Sequence, residues 1–102
     1  MQMLIEFDIN GDIIDVPQRV IEDRELLRRR FLKWLYDKSI KHKYWVKVRR
    51  ETGTFYAVQY RSDAFVEWLN KKVLKDCNEK ATIVAECVAI DEYKDQYPSI
   101  WF

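Results

Sequence analysis

The sequence predicts an α+β domain, a two-layer sandwich in which two helices cover one face of a mainly antiparallel sheet. Three observations predict it. Apolar residues alternate beside Asn10-Gly11 and again on either side of Gly53, the pattern of two hairpins. They recur at helical spacing over residues 20–35 and 65–77, the pattern of two helices. The 102 residues also carry four Trp, six Tyr and five Phe against only two Gly and two Pro. That is enough large apolar surface for one core, and too few loop formers for a second domain. The whole chain, 1–102, reads as a single domain.

The first hairpin joins residues 3–9 to 12–16. Asn10-Gly11 suits a two-residue turn, because both positions then need positive φ. Such a turn pairs Ile9 with Asp12, Phe7 with Ile14, Ile5 with Val16 and Glu6 with Asp15. It places Ile5, Phe7, Ile9, Ile14 and Val16 on one face, the expected buried face. Pro17 then suits the first position of a helix, with Asp15 as a nearby cap. Val20, Leu27, Phe31, Trp34 and Leu35 share its apolar stripe, and Asp23 offers a second cap from which the helix restarts. Arg24 and Arg28 sit awkwardly close to that stripe.

In the second hairpin a three-residue loop, Glu51-Thr52-Gly53, with Gly53 left-handed, gives the most consistent faces. It pairs Val48 with Tyr56 and Val46 with Val58, and gathers Trp45, Lys47, Arg49, Phe55, Ala57 and Gln59 on the opposite side. Ser62 reads as the cap of the second helix, with Asp63 in its first turn. Phe65, Leu69, Val73 and Cys77 form its stripe, and Glu67 and Lys71 lie one turn apart on its outer side. A last strand over 81–89 buries either Ile83, Ala85 and Cys87 or the face with Val84 and Val88. An aromatic tail follows, ending Ile100-Trp101-Phe102. Without its first strand this chain order is βαββαβ, which resembles the ferredoxin-like order.

Several classes of function fall away. No stretch approaches the ~18 apolar residues of a membrane span. The first residues, punctuated by Glu6, Asp8 and Asp12, do not read as a signal peptide. Cys77 and Cys87 form no CxxC pair and read as reduced thiols, which suits a cytoplasmic protein. The sole histidine, His42, lies between Lys41 and Lys43 and reads as a solvated side chain. Glu6, Asp8 and Asp15 converge on the outer face of the expected first hairpin, but match no calcium-loop pattern. No nucleotide-binding, hydrolase or metalloprotease motif occurs. No catalytic residue, metal, cofactor or small-molecule substrate is therefore expected.

Charge layout is the informative feature. The chain is nearly neutral, net +1 with a pI near 7.7. Yet residues 1–27 carry net −5, residues 28–50 net +9 and residues 51–102 net −3. Lys and Arg in such a run neutralise phosphates, and Trp45 and Phe55 beside Lys47 and Arg49 can stack on bases. RNA-binding sheets work this way, although their glycine-aromatic signature is lacking here. A second basic-aromatic edge combines Trp68 with Lys71, Lys72 and Lys75. Against this, the acidic first segment is expected to neutralise the basic run. Dedicated nucleic-acid binders also usually exceed a pI of ~9.

Aromatic residues mixed with Arg also match protein–protein hot spots, and the apolar tail invites docking to a partner or a second copy. Alternatively, the tail folds back over Trp45 and Phe55. The resulting expectation is a small non-enzymatic binding module of adaptor or inhibitor type, acting on a protein partner or on itself. The residues expected to carry it are Arg28, Arg29, Arg30, Lys33, Trp45, Lys47, Arg49, Phe55, Trp101 and Phe102. Nucleic-acid binding through residues 28–50 is the alternative.

Overall fold

The computed structural model describes all residues, Met1–Phe102. It contains β1 (Gln2–Glu6), β2 (Gly11–Asp15), α1 (Gln18–Glu22), α2 (Arg24–Leu35), β3 (Trp45–Arg50), β4 (Gly53–Val58), α3 (Ser62–Trp68), β5 (Thr82–Val88), α4 (Ile90–Tyr93) and β6 (Ser99–Trp101). Four strands form one sheet in the order β5-β2-β1-β6, antiparallel except for the β1–β6 pair. Residues from α1, α2 and α3 pack with Met3, Ile5, Ile14, Val16 and Ile100 on one sheet face and form the core. This is the expected two-layer α+β architecture. No helix is long and apolar enough to cross a membrane.

The first hairpin is displaced by four residues from the expected register. Met3 faces Ile14 and Ile5 faces Asp12, with Phe7–Asn10 as the loop. An even displacement preserves the side-chain faces. Ile5, Ile14 and Val16 are therefore buried as expected, while Ile9 moves into the loop and is 92% exposed. The glycine serves close approach rather than a left-handed turn. A Cβ on Gly11 would lie 2.7 Å from the Ile5 carbonyl oxygen and 2.9 Å from Leu4 Cδ1. Leu4 and Ile13 are buried on the opposite sheet face, near Ile90 of α4.

The first helix breaks at Asp23 and restarts, and its stripe Val20, Leu27, Phe31 and Leu35 is buried. Asp15 caps nothing; it accepts from the N-terminal ammonium at 3.0 Å. Arg24 and Arg28 lie beside the stripe because each donates to a carbonyl of β6, of Ser99 and Trp101 respectively. A strand there is not expected from sequence, where residues 99–101 belong to an aromatic tail. β6 runs parallel to β1, with Ile100 beside Ile5 on the core face. Period two then turns Trp101 outward, 58% exposed, while Phe102 packs on Phe7, Phe31 and Phe65.

In the second helix Ser62 does not act as the cap, since its hydroxyl donates to Asp12. Asp63 accepts instead from the amides of Arg61 and Ala64. The helix widens into a π-turn over Leu69–Val73, closed by the Leu74 amide on the Leu69 carbonyl at 2.7 Å. The extra residue gives Leu74 the buried place that regular spacing assigned to Val73. Cys77 lies beyond the helix end. On β5, Ile83 lies opposite Ile14 and packs against the core. A register shift then sets Ala85 opposite Ile13 of the other face, and a bulge separates Ala85 from Val88 in the pairing with β2. Cys87 sits in it at φ 56° with its side chain exposed.

The second hairpin does not join the sheet. β3 and β4 pair only with each other, so the ferredoxin-like arrangement that would insert them is not formed. Their turn has two residues, Glu51-Thr52, with Arg50 opposite Gly53 and Val48 opposite Phe55. One face therefore carries Trp45, Lys47, Arg49, Tyr56 and Val58, and the other Val46, Val48, Arg50, Phe55 and Ala57. The expected grouping of Trp45 with Phe55 is overturned. It rested on one face being buried, and here neither is, so burial does not set the register. The projecting arm lengthens the molecule to 45 Å. The radius of gyration is 14.7 Å, against about 13 Å for a compact chain of this length.

A two-stranded ribbon with no sheet behind it is held locally. Amides of β3 and β4 should therefore exchange hydrogen through openings of only ~2 kcal/mol, well before those of β1 and β2. Hydrogen-exchange NMR checks this order.

Candidate interaction site

The root of the arm is built from three rings in contact. His42 lies 4.6 Å from Trp34 of α2, and parallel to Trp45 of β3 at 5.4 Å. Its two ring nitrogens are both used. Nε2 lies 2.7 Å from the Leu35 carbonyl, to which it donates, and Nδ1 accepts from the Tyr44 amide at 3.2 Å. The Trp45 indole donates to the Ile40 carbonyl at 2.9 Å. His42 is thus a joint between helix and arm, not the solvated side chain its lysine neighbours suggested.

Two clefts open on either side of this joint. The first, about 600 Å3, lies between the 38–42 segment and the arm, with Trp45, Phe55 and Tyr56 as apolar walls and Lys38 and Lys41 at its rim. The second, about 280 Å3, runs from His42 to the second helix and is edged by Lys43, Lys71 and Lys72. Glu67 lies in it and is already engaged. It contacts Lys71 at 2.6 Å and Lys43 at 3.0 Å, and accepts from the Tyr44 hydroxyl. Lys71 first, then Tyr44 and Lys43, hold its carboxyl at a pKa of about 2. Burial and the Glu67 charge together push the Tyr44 phenol well above its usual value. The expected Glu67–Lys71 pair is therefore present, and serves as the anchor of the arm root.

The acidic first segment does not neutralise the basic run. Of the ten cations in residues 28–50, only Lys43 meets a carboxylate. The acids of the first hairpin are used elsewhere: Asp12 with Arg61, Asp15 with the N-terminus and Glu6 near Lys94. Glu6 and Asp15 are not paired, because the displaced register sets them opposite Gly11 and Gln2.

The residues singled out from sequence fall into three groups. Lys47, Arg49 and Phe55 lie on the arm, with Trp45 at its root, and all but Trp45 are exposed. Arg29, Arg30 and Lys33 are exposed on α2, the Arg30 guanidinium lying 6.0 Å from the Trp68 ring. Arg28, Trp101 and Phe102 belong to the tail contact, the Arg28 guanidinium also lying 5.9 Å from the Phe102 ring. The tail does not cover Trp45 and Phe55, because it is spent as a strand of the main sheet. Trp68 offers no stacking edge, since it is buried against Phe31 and Phe65. Sequence reasoning missed the role of Lys38, Lys41 and Tyr56, which become cleft residues only once the loop folds beside the arm.

A second polar constellation centres on a buried carboxylate. Asp12, 1% exposed, accepts from Arg61 at 2.8 Å, Ser62 at 2.5 Å and the Cys87 amide at 3.0 Å. The β5 bulge is what aims that amide at it. Arg61 also covers the Phe7 ring at 4.2 Å. Comparison with known proteins returns no match: no family model, no curated protein and no solved structure aligns significantly with this chain.

Proposed function

We propose that this protein is a non-enzymatic binding module that engages a protein partner through its projecting hairpin, in the manner of an adaptor or inhibitor. The observation that supports it best is the uncovered state of the arm. Val46, Val48, Phe55 and Ala57 share a face on which no residue is buried, and both edges of the ribbon keep unpaired backbone groups. Edges of this kind accept a strand from another protein, and apolar side chains on alternate positions give it specificity. Lys47, Arg49 and Arg50, free of carboxylates, favour an acidic partner and speed its approach. The two free cysteines suit a reducing compartment such as the cytoplasm.

The test is capture from an extract of the source cells by the immobilised protein, with Val48→Asp as the comparison. Val48 lies on the arm, so the substitution should leave the circular dichroism of the domain unchanged. A protein retained by the wild type and lost with Val48→Asp is the expected result. Arg49→Glu should slow its association about tenfold and change dissociation little. If no retained protein distinguishes the two, the reading falls. If nuclease treatment removes everything retained, it gives way to nucleic-acid binding.

A further inference from the structure

We propose that the lysine-edged aromatic trough on either side of His42 binds single-stranded nucleic acid. Apart from Phe55, which also walls the first cleft, it rests on residues outside the arm face invoked above, and neither proposal depends on the other. The two clefts share His42 as a common wall, so they lie side by side between the arm and the second helix. Folding sets Lys38, Lys41 and Lys43 on the same pair of adjoining clefts as Lys71 and Lys72, which lie about thirty positions further along the chain. The trough's one carboxylate, Glu67, is held by Lys43 and Lys71, each of which is 68% exposed and keeps donors for another anion.

Charge alone would suit an acidic peptide equally well, so the rings decide between the two. Tyr56 is 64% exposed and borders the trough beside the partly exposed Trp45. A strand of nucleotides supplies what both features need, flat bases to lie on the rings and phosphates spaced along the lysines. A peptide of Asp and Glu supplies only the second. A duplex keeps its base faces stacked away from such a trough, which selects the single strand.

Engagement of three to five phosphates predicts a slope of about −2 to −3.5 in log affinity against log salt. The experiment is fluorescence anisotropy with labelled oligo-dT and oligo-U strands of about 15 nucleotides, at several salt concentrations from about 25 to 200 mM. Wild-type protein should bind with micromolar affinity at about 50 mM salt. The Lys41→Glu, Lys72→Glu double variant should weaken binding at least about twentyfold and flatten the slope by about 1.4. Tyr56→Ala should weaken it about tenfold and leave the slope unchanged. Val48→Asp should bind as wild type, which separates failure of the trough from failure of the arm. Lys41, Lys72 and Tyr56 are exposed, and unchanged thermal midpoints confirm that the variants fold. Four results overturn the proposal: no binding at about 25 mM salt, tighter binding of duplex, equal competition by polyglutamate of matched charge, or indifference to the double variant.

Discussion

Phe31→Ala should cost about 4 kcal/mol of stability, the range of a fully buried Phe truncated in a core that cannot collapse around it. Phe31 has no exposed surface, and its ring meets those of Phe65 at 5.2 Å, Phe102 at 5.6 Å, Trp68 at 5.7 Å and Tyr60 at 6.0 Å. Those rings come from the second helix, the tail and the segment leaving the arm, so one truncation loosens the packing of three segments at once. A domain this small holds roughly 5–10 kcal/mol in total, so a loss of that size leaves a marginal fold. Urea denaturation followed by Trp fluorescence measures it.

The same experiment distinguishes the last two residues, which resemble each other in sequence. Phe102→Ala should cost about 2 kcal/mol, because its ring closes the core against four others. Trp101→Ala should stay within ~0.5 kcal/mol, because the side chain points outward. Equal costs at 101 and 102 would mean that β6 has been placed in the wrong register. Weakened partner capture by Phe102→Ala would then report lost fold, not a lost contact.

What was legible in the sequence follows from what burial enforces. The stripe of α2, the core face of β1 and β2 and the break at Asp23 depend on periodicity, and periodicity survives a displaced register when the displacement is even. The Asn10-Gly11 signal misled because glycine answers two needs with one residue type, positive φ and close approach, and here it answers the second. The arm's register was misread because face consistency presupposes a buried face. The strand at β6 was hidden by brevity, three residues that are a strand only because β1 offers an edge and Arg24 and Arg28 donate to its outward carbonyls. In the site, the cations were visible at once, but their freedom from carboxylates was not. That required knowing that Asp12, Asp15 and Glu6 are spent on Arg61, the N-terminus and Lys94.

Asp12 supplies the other large effect, and it was read only as one acid among several. Asp12→Ala should cost about 3 kcal/mol. It leaves the buried Ser62 hydroxyl and the Cys87 amide without their acceptor, and removes the Arg61 partner. The cost sits at the low end for a broken buried pair because Arg61, 42% exposed, can turn to water. Asp12→Asn keeps an acceptor without the charge and should cost about half as much.

The pH dependence follows from the same bonds. Burial pushes the Asp12 carboxyl up, but the bonds from Ser62, Arg61 and Cys87, with the Arg61 charge, outweigh it and hold the group below its ordinary 3.8. A carboxyl whose pKa is lower in the folded than in the unfolded chain stabilises the fold fully above the unfolded value. It loses that contribution as pH falls through the folded one. The difference in unfolding free energy between wild type and Asp12→Asn should therefore be constant above about pH 5 and shrink below about pH 4. Denaturation of both proteins across that range isolates this group, since every other carboxylate cancels in the difference. A gap that stays constant into strong acid would show that Asp12 holds β2, α3 and the β5 bulge together without its charge.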